Sequence, residues 1–306
     1  MSAPQPQHPA DRLVEAVDSA QAPVCVGLDP VIERLPDSLR PDVGSGRLNA
    51  ENAEQCANAI EKFTVSVLDA IQQHAPCVKF QSACFERYRS AGVAALHRCI
   101  TEARRRGLQV ILDAKRGDIG ISATHYAAAS FDAWDKGDGF ADWLTINAYF
   151  GADGMEPFVS NQHGAFALVR TSNPSSESIQ REALAEGTTI AEHMARAVAV
   201  FGEPFVGESG YSALGAVVAA TWPSESESLR DCMPQQIFLV PGYGAQGGTV
   251  DDILPCFHSD GRGAIVTASR SVIYAFEPKD SQWTHSVADA GGAFAEEVGC
   301  AVGLRR

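Results

Sequence analysis

Features that mark several other protein classes are missing from this 306-residue sequence. No run reaches the ~18 uninterrupted apolar residues of a membrane-spanning helix, and residues 1–23 lack the apolar centre of a secretory signal. The eight cysteines include no C-x-x-C pair, and several lie in apolar stretches, which favours small buried thiols. We therefore expect no membrane association and a location in the reducing cytoplasm.

Positive charge is also scarce. Lysine and arginine total 24 against 38 aspartate and glutamate residues, a formal net charge of −14. This balance argues against nucleic acid or an anionic membrane as a partner. It leaves room for a small anionic substrate in a locally positive pocket.

Several ligand-binding and catalytic motifs are absent. The sequence contains no Walker loop, no H-x-x-x-H and no G-x-G-x-x-G after its first predicted strand. His125 and His193 lie in helical stretches without a partner at metal-ligand spacing. We therefore predict no metal site.

What the sequence does contain is an alternation of short apolar runs and amphipathic helical stretches. Runs of four to six apolar residues are typical of parallel strands that are covered on both faces. Candidate strands cover residues 24–28, 77–80, 109–112, 143–146, 166–169, 216–220, 237–240 and 264–267, and 205–206 competes as the sixth. Candidate helices cover residues 51–73, 93–106, 122–135, 188–201, 250–256 and 281–298, with loops at 30–47 and 175–187.

About eight strand–helix units favour a closed (β/α)8 TIM barrel over the alternative, a doubly wound open sheet. A length of 306 residues suits one such barrel of about 250 residues with extensions. We predict a single domain over residues 1–306, with an N-terminal extension at about 1–22 and a C-terminal helix at about 281–300.

Charged residues stand where the first three predicted strands end, which is where barrel enzymes carry their chemistry. Asp29 ends the first strand, Lys79 lies in the second, and Asp113, Lys115 and Asp118 follow the third. Asp113 and Lys115 are two residues apart, so both side chains would leave one face of an extended segment. Unpaired buried charges are costly, so these groups should compensate one another or a ligand.

A glycine-rich segment, Pro241 to Gly248, follows the seventh strand, and Arg270 follows the eighth. Glycines allow sharp turns that direct backbone N–H groups at an anion, and arginine offers a bidentate fork. Loops after these two strands commonly hold a phosphate in such barrels. The segment 170–174 after strand five, Arg-Thr-Ser-Asn-Pro, offers groups for a heterocycle, although an Asn-Pro turn explains it equally well.

With these residues in view, the chain resembles the longer bacterial branch of the orotidine 5′-phosphate decarboxylase family. The resemblance rests on five motifs in the family's order between residues 24 and 270. One departure is Phe80, where proline is expected in that branch. The motifs are Val26 to Pro30, Lys79 to Ser82, Asp113 to Gly120, Thr171 to Pro174 and Pro241 to Gly248.

The resemblance implies a homodimer that converts orotidine 5′-monophosphate (OMP) to uridine 5′-monophosphate (UMP) and CO2 without a metal or an organic cofactor. Lys115 is implied as the acid that protonates C6, with Asp113 near the departing carboxylate and Lys79 between Asp113 and the ribose. Asp118 is implied to reach the partner subunit's site, and Ser122 to accompany it.

The resemblance also implies the groups that bind the substrate. Asp29 would bind the ribose hydroxyls and Ser172 the pyrimidine edge. Gln246 and Arg270 would bind the phosphate.

Two other readings remain open from the sequence. A phosphosugar barrel enzyme would be either a metal-dependent keto-sugar phosphate decarboxylase, with further carboxylates around Asp113, or a Schiff-base aldolase, with a lysine of depressed pKa in an apolar pocket. A non-catalytic barrel could bind nucleotides, but the intact charged residues argue against it.

Overall fold

The computed structural model describes residues 7–42, 49–132, 141–244 and 247–305. Parallel strands form a closed barrel in chain order, with the last strand paired to the first. This arrangement confirms the predicted (β/α)8 fold. The strands are Val24–Leu28 (β1), Cys77–Gln81 (β2), Gln109–Arg116 (β3), Trp143–Ile146 (β4), Gly164–Arg170 (β5), Leu214–Val218 (β6), Phe238–Val240 (β7) and Ala264–Ala268 (β8).

Helices surround the barrel. The α-helices are Pro9–Ala20 (α1), Ala50–Ile71 (α2), Ser82–Glu86 (α3), Arg89–Arg105 (α4), Gly120–Phe131 (α5), Ala152–Met155 (α6), Glu177–Gln180 (α7), Ile190–Gly202 (α8), Pro223–Cys232 (α9), Val250–Ile253 (α10), Arg270–Ile273 (α11) and Trp283–Ala301 (α12). Short 3-10 helices cover Ile32–Arg34, Ala148–Phe150, Glu156–Phe158, Pro174–Ser176, Glu203–Phe205 and Leu254–Cys256. None of the helices in the described ranges is long and apolar enough to cross a membrane.

The longest helix shows how sequence and packing agree. α2 begins at a reciprocal capping box, in which the Asn49 side chain accepts from the Asn52 N–H and the Asn52 side chain accepts from the Asn49 N–H. Its buried face includes Phe63 and Val67, spaced by one helical turn. This face covers the outer side of the barrel.

Strand alternation divides the core into two parts. The outward residues of each strand join the large cluster beneath the helices, and the inward ones fill the barrel. Cys77, Ile111 and Trp143 belong to the interior cluster. Two residues further along their strands come Lys79, Asp113 and Thr145, so the two-residue period of a strand directs all three into the upper end of the barrel.

The lower end is closed by a helix that the sequence did not predict. α1 lies within the predicted N-terminal extension, and its Ala10 and Leu13 pack with the interior cluster. Arg12 of α1 and Arg104 of α4 donate to the buried Asp142, whose other oxygen accepts from the Val110 N–H. The predicted C-terminal helix is present as α12.

Three predicted segments differ in detail. The sixth strand contains Ala216 and not Val206, which forms only an isolated bridge to Ser212. β3 continues to Arg116 because a bulge lets its charged end remain paired to β4. The predicted loop at 175–187 contains α7, and the last residues of the predicted helix 122–135 lie outside the described ranges.

Phe80, the departure from the family pattern, is accommodated within a regular strand. Its backbone pairs with Leu28 on one side and Leu112 on the other. The ring is fully buried and lies 6.2 Å from the ring of Phe85. An aromatic residue is therefore compatible with the inward direction of Lys79.

His163, just before β5, predicts a pH-dependent stability. Its ring stacks on Phe131 at 3.9 Å. Burial, aided by Arg12 and opposed by Asp132, lowers the pKa of His163 to about 4 from 6.5. As the pH falls, the His163 imidazole is protonated in the unfolded chain before it is protonated in the folded chain. The neutral ring therefore contributes fully to folding stability above about pH 6.5, and this contribution is lost towards pH 4.

Between pH 7 and 5 we expect wild type to lose about 1 kcal/mol more unfolding free energy than His163→Phe, a value that allows for solvent screening of a half-buried ring. Urea unfolding at both pH values measures the difference. The exposed His285 of α12 supplies a control substitution, His285→Phe. Equal pH dependence in wild type and His163→Phe would contradict the assignment.

Candidate active site

A cavity of about 520 Å³ opens at the carboxyl ends of the strands. Most of its lining residues are charged or polar, and Leu168, Val217 and Leu239 form an apolar part of its wall. The polar lining includes Asp29, Lys79, Gln81, Asp113, Lys115, Thr145, Thr171, Ser172, Asn173, Gln180, Tyr243, Thr267, Ser269 and Arg270.

Asp113 is the centre of the charged group. Lys79 Nζ donates to Asp113 Oδ2 at 2.9 Å, and Lys115 Nζ donates to Asp113 Oδ1 at 2.6 Å. Lys79 also lies 3.8 Å from Asp29 Oδ1. The structure thus brings together four of the charged residues that the sequence placed at strand ends.

The two lysines differ in environment. The Lys79 side chain is 8% exposed and that of Lys115 is 48% exposed. Burial would lower the pKa of Lys79, but the Asp113 and Asp29 carboxylates together raise it. Burial would raise the pKa of Asp113, but the two ammonium groups hold it well below its usual range. Lys79 and Asp113 therefore form a buried ion pair, and Lys115 lines the cavity.

Two further donors complete the hydrogen bonding of Asp113. Thr145 Oγ1 donates to Oδ1 at 2.8 Å. The Gln81 amide, oriented by its neighbours, donates to Oδ2 at 2.9 Å and to the Asp113 carbonyl at 3.1 Å. Each carboxylate oxygen thus accepts from one ammonium and one neutral donor.

Lys115 does not have the extended backbone that was predicted. Its φ is 46°, in the left-handed region, and the register between β3 and β4 shifts between Leu112 and Arg116. The prediction that Asp113 and Lys115 leave one face of an extended segment was therefore wrong about the backbone. Their side chains nevertheless meet, because the bulge turns Lys115 back over Asp113.

Asp29 lies at the turn after β1. Its backbone carbonyl accepts from the Tyr274 hydroxyl at 3.0 Å, and the same hydroxyl accepts from the Val31 N–H at 2.7 Å. Tyr274 in turn stacks on Phe63 of α2. Asp29 Oδ1 is buried and has no hydrogen-bond partner among the described residues, so it can accept from a ligand hydroxyl.

The loop after β5 is held by a buried cation. Arg170 is fully buried, donates to Glu225 Oε2 at 2.7 Å and lies over the Trp222 ring at 4.2 Å. The Trp222 indole donates to the Thr171 carbonyl, and the Thr171 N–H donates to Gln180. This network supports the segment that presents Ser172 to the cavity.

The described parts of the glycine-rich segment, residues 241–244 and 247–248, hydrogen-bond to each other. Gly242 and Gly244 have φ values of 102° and 66°, which a side chain would disfavour. The N–H groups of Gly244, Gly247 and Gly248 donate to carbonyls of the same loop and do not point at an anion as expected. Arg270 does line the cavity. The predicted phosphate ligand Gln246 lies outside the described residues.

Two predicted residues stand apart from the cavity of their own chain. Asp118 is not among the lining residues, and its Oδ1 accepts from the Ile119 N–H at 2.8 Å. Ser122 is exposed on α5. In the described part of the chain, no ion pair joins Asp118 to Lys115.

The sequence reasoning gave no role to Thr145, Gln81 or Gln180. Thr145 stands in the apolar run of β4, where its place two residues after Trp143 was the available signal for an inward side chain. Gln81 lies within the Lys79 to Ser82 motif. No sequence signal marked Gln180 as a site residue. It lies in a segment predicted to be a loop, ten residues beyond Arg170, to which it hydrogen-bonds.

Comparisons with known proteins agree with this geometry. Residues 22–281 match the model of the orotidine 5′-phosphate decarboxylase / HUMPS family. Orotidine 5′-phosphate decarboxylase of Rhodopirellula baltica is 38% identical over 277 residues, 89% of this chain and 90% of that protein.

Solved structures are also similar. One from Streptomyces avermitilis, assigned to the same enzyme, has a TM-score of 0.80 at 33% identity and covers 99% of this chain and 98% of its own. The OMP decarboxylase of Leishmania donovani has a TM-score of 0.73 at 25% identity, covering 97% and 99%.

Proposed function

This chain belongs to the orotidine 5′-phosphate decarboxylase / HUMPS family, and from that premise we propose that it converts OMP to UMP and CO2. The observation that carries the proposal is the Lys79–Asp113–Lys115 array at the carboxyl end of the barrel. The proposal includes action without a metal or organic cofactor. It also includes a cytoplasmic location, which is supported by the eight cysteines, because all of them are free thiols.

The array suits the electronic demand of the reaction. Loss of CO2 leaves an electron pair on C6 in an orbital outside the ring π system, so ring resonance stabilises it little. The Lys115 ammonium, fixed by Asp113, stabilises this charge and then donates a proton to C6. UMP and CO2 result, and the neutral lysine regains its proton from solvent.

Asp113 and Lys79 have supporting roles in this proposal. The ionised Asp113 lies beside the substrate carboxylate and favours its departure. Lys79 neutralises the buried Asp113 and lies between it and Asp29. The apolar wall of Leu168 and Val217 offers no hydrogen bond to a carboxylate and suits released CO2.

The rest of the cavity would hold the nucleotide. Asp29 binds the ribose hydroxyls, Ser172 the pyrimidine edge, and Arg270 with Gln246 the phosphate. The side chains of the first three line one cavity, which supports this division. Phosphate contacts remote from C6 supply binding energy that is used at the reacting carbon.

The proposal includes a homodimer in which Asp118 and Ser122 complete the partner's site. Exposed apolar side chains lie on segments near Asp118. Ile121, three residues further along the chain, is 75% exposed. Tyr149 is 83% exposed, and the next residue, Phe150, lies close to Gly117. Such a patch is typical of an interface. We propose that a second copy covers this patch and that each Asp118 carboxylate then lies beside the cavity of the opposite chain.

The alternatives fit the geometry less well. A metal-dependent decarboxylase needs free carboxylate oxygens, whereas both oxygens of Asp113 already accept two donors each. A Schiff-base aldolase needs a lysine of lowered pKa, whereas Asp113 and Asp29 raise the pKa of Lys79.

An ultraviolet assay of OMP consumption tests the proposal directly. We expect the purified wild-type protein to convert OMP to UMP, and we expect the rate to be unchanged by prior incubation with excess chelator and gel filtration. No turnover by folded protein would overturn the proposed function. Turnover that chelation abolishes and a divalent cation restores would favour the metal-dependent alternative.

A further inference from the structure

The β-bulge that carries Lys115 lacks a regular ladder at its centre. Leu112 pairs with Leu144 and Arg116 with Ile146, so four residue steps of β3 face two of β4. A backbone N–H within such a bulge loses its ladder partner and must bond elsewhere. The Lys115 N–H donates to the side chain of Thr145, at 3.0 Å from Oγ1.

The backbone of Lys115 needs that support. Its φ of 46° lies in a region that residues other than glycine seldom adopt, and it persists only where surrounding contacts determine it. The Lys115 side chain is 48% exposed, so packing restrains it little. Two contacts that help to fix Lys115 are the ion pair at its Nζ and the hydrogen bond at its N–H.

Thr145 joins both ends of this arrangement through one hydroxyl. Its Oγ1 accepts from the Lys115 N–H and donates to Asp113 Oδ1, the same oxygen that binds Lys115 Nζ. A hydroxyl can do both at once, and valine, its isostere, can do neither. Thr145 is 1% exposed, so solvent has little access to replace these bonds.

We propose that Thr145 is a positioning residue that holds the left-handed backbone of Lys115 and the Asp113 carboxylate in one geometry, so that the ammonium is aimed at C6. The inference rests on the proposed function for its kinetic consequence. Thr145 would act on the reacting step and not on the affinity for the nucleotide, because the predicted ribose, pyrimidine and phosphate ligands are other residues.

The kinetic test compares two substitutions. We expect Thr145→Val to lower kcat by about 10²-fold, the order expected when a catalytic group is misplaced by about 1 Å, and to change KM for OMP by less than about 3-fold. Thr145→Ser keeps the hydroxyl and should retain kcat within about 5-fold. Thr64→Val, which removes a buried hydroxyl on α2 away from the cavity lining, should behave as wild type.

A second measurement does not depend on turnover. Amide hydrogen exchange at the Lys115 N–H should be at least about 10-fold faster in ligand-free Thr145→Val than in wild type and unchanged in Thr64→Val. If Thr145→Val does not fold, Thr145→Ala replaces it in both the kinetic comparison and the hydrogen-exchange measurement.

The outcomes separate the two claims. With an active wild type, an unchanged kcat in Thr145→Val, or a loss that Thr145→Ser does not avoid, overturns the positioning role. Unchanged exchange at Lys115 also overturns it. If wild type does not act on OMP, the proposed function fails, and the exchange rate alone decides whether Thr145 holds Lys115.

Discussion

Replacing Lys115 with alanine is expected to lower kcat for OMP by at least about 10⁴-fold, or about 5.4 kcal/mol of activation free energy. Two effects would be lost together. A positioned acid typically contributes 10²–10⁴-fold, and a preorganised charge beside the developing anion a further 10²–10³-fold. The lower end of their product sets this expectation.

The affinity for the product UMP should change much less than kcat in this variant. UMP carries no carboxylate at C6, so the Lys115 ammonium has no charged group of the product to bind. We expect the Kd for UMP, measured by calorimetry, to stay within about 5-fold of wild type. A parallel loss of kcat and UMP affinity would indicate that Lys115 binds the nucleotide and does not act on the reacting carbon.

Lys62, an exposed lysine of α2, provides the matched control. Lys62→Ala removes the same charge from the same chain and should leave kcat unchanged. Folding should survive in Lys115→Ala, because its side chain is half exposed and Asp113 keeps its partner Lys79. Retention of more than about a tenth of wild-type kcat would refute the assigned acid.

Lys79 would be a poorer probe of chemistry. It is the buried partner of Asp113, and removing one partner of a buried ion pair typically costs 3–5 kcal/mol of stability. A loss of activity in a Lys79 variant would therefore mix folding with catalysis. The exposure difference between the two lysines is what makes Lys115 the informative substitution.

The sequence was sufficient to place these charges. Apolar runs located the strands, and a charge at the end of a strand is directed by the same two-residue period as the apolar residues before it. Lys79 lies two residues after the inward-facing Cys77, and Asp113 lies two residues after the inward-facing Ile111, so both side chains point inward. The barrel then brings neighbouring strand ends together, which local pattern alone does not.

The backbone of Lys115 could not be predicted in this way. A bulge is set by competition between strand pairing and side-chain contacts, and its partner Thr145 lies 30 residues away in sequence. No propensity of lysine favours a positive φ. The contact emerges only when β3 and β4 are paired.

Helix α1 was missed for a related reason. Its segment is amphipathic, but it lies among polar residues and prolines and was assigned to the N-terminal extension. Ala10 and Leu13 are buried only because they cover the lower end of the barrel, which is formed by strands far along the chain. The local pattern permits a helix here, and burial of its apolar face against the barrel stabilises it.

Asp118 gives the test of assembly with the largest signal. In the described part of one chain, its carboxylate accepts a hydrogen bond from the neighbouring Ile119 N–H and forms no ion pair with Lys115. If it completes the partner's site, Asp118→Ala should lose kcat by about 10²-fold or more while each chain keeps its own Lys115–Asp113 pair. Alone, this loss does not distinguish a shared site from a local one.

Mixing inactive subunits makes that distinction. A heterodimer of Lys115→Ala and Asp118→Ala chains has one doubly altered site and one intact site, which combines the unaltered Lys115 of one chain with the unaltered Asp118 of the other. Random exchange of equal amounts makes about half of the dimers heterodimers, so about a quarter of wild-type activity should return. As a control, the Lys115→Ala chain is mixed with a double variant that carries both Lys115→Ala and Lys62→Ala. No activity should return, because every site in this mixture lacks Lys115. If mass spectrometry shows heterodimers while activity stays at the level of the separate variants, Asp118 does not act across the interface.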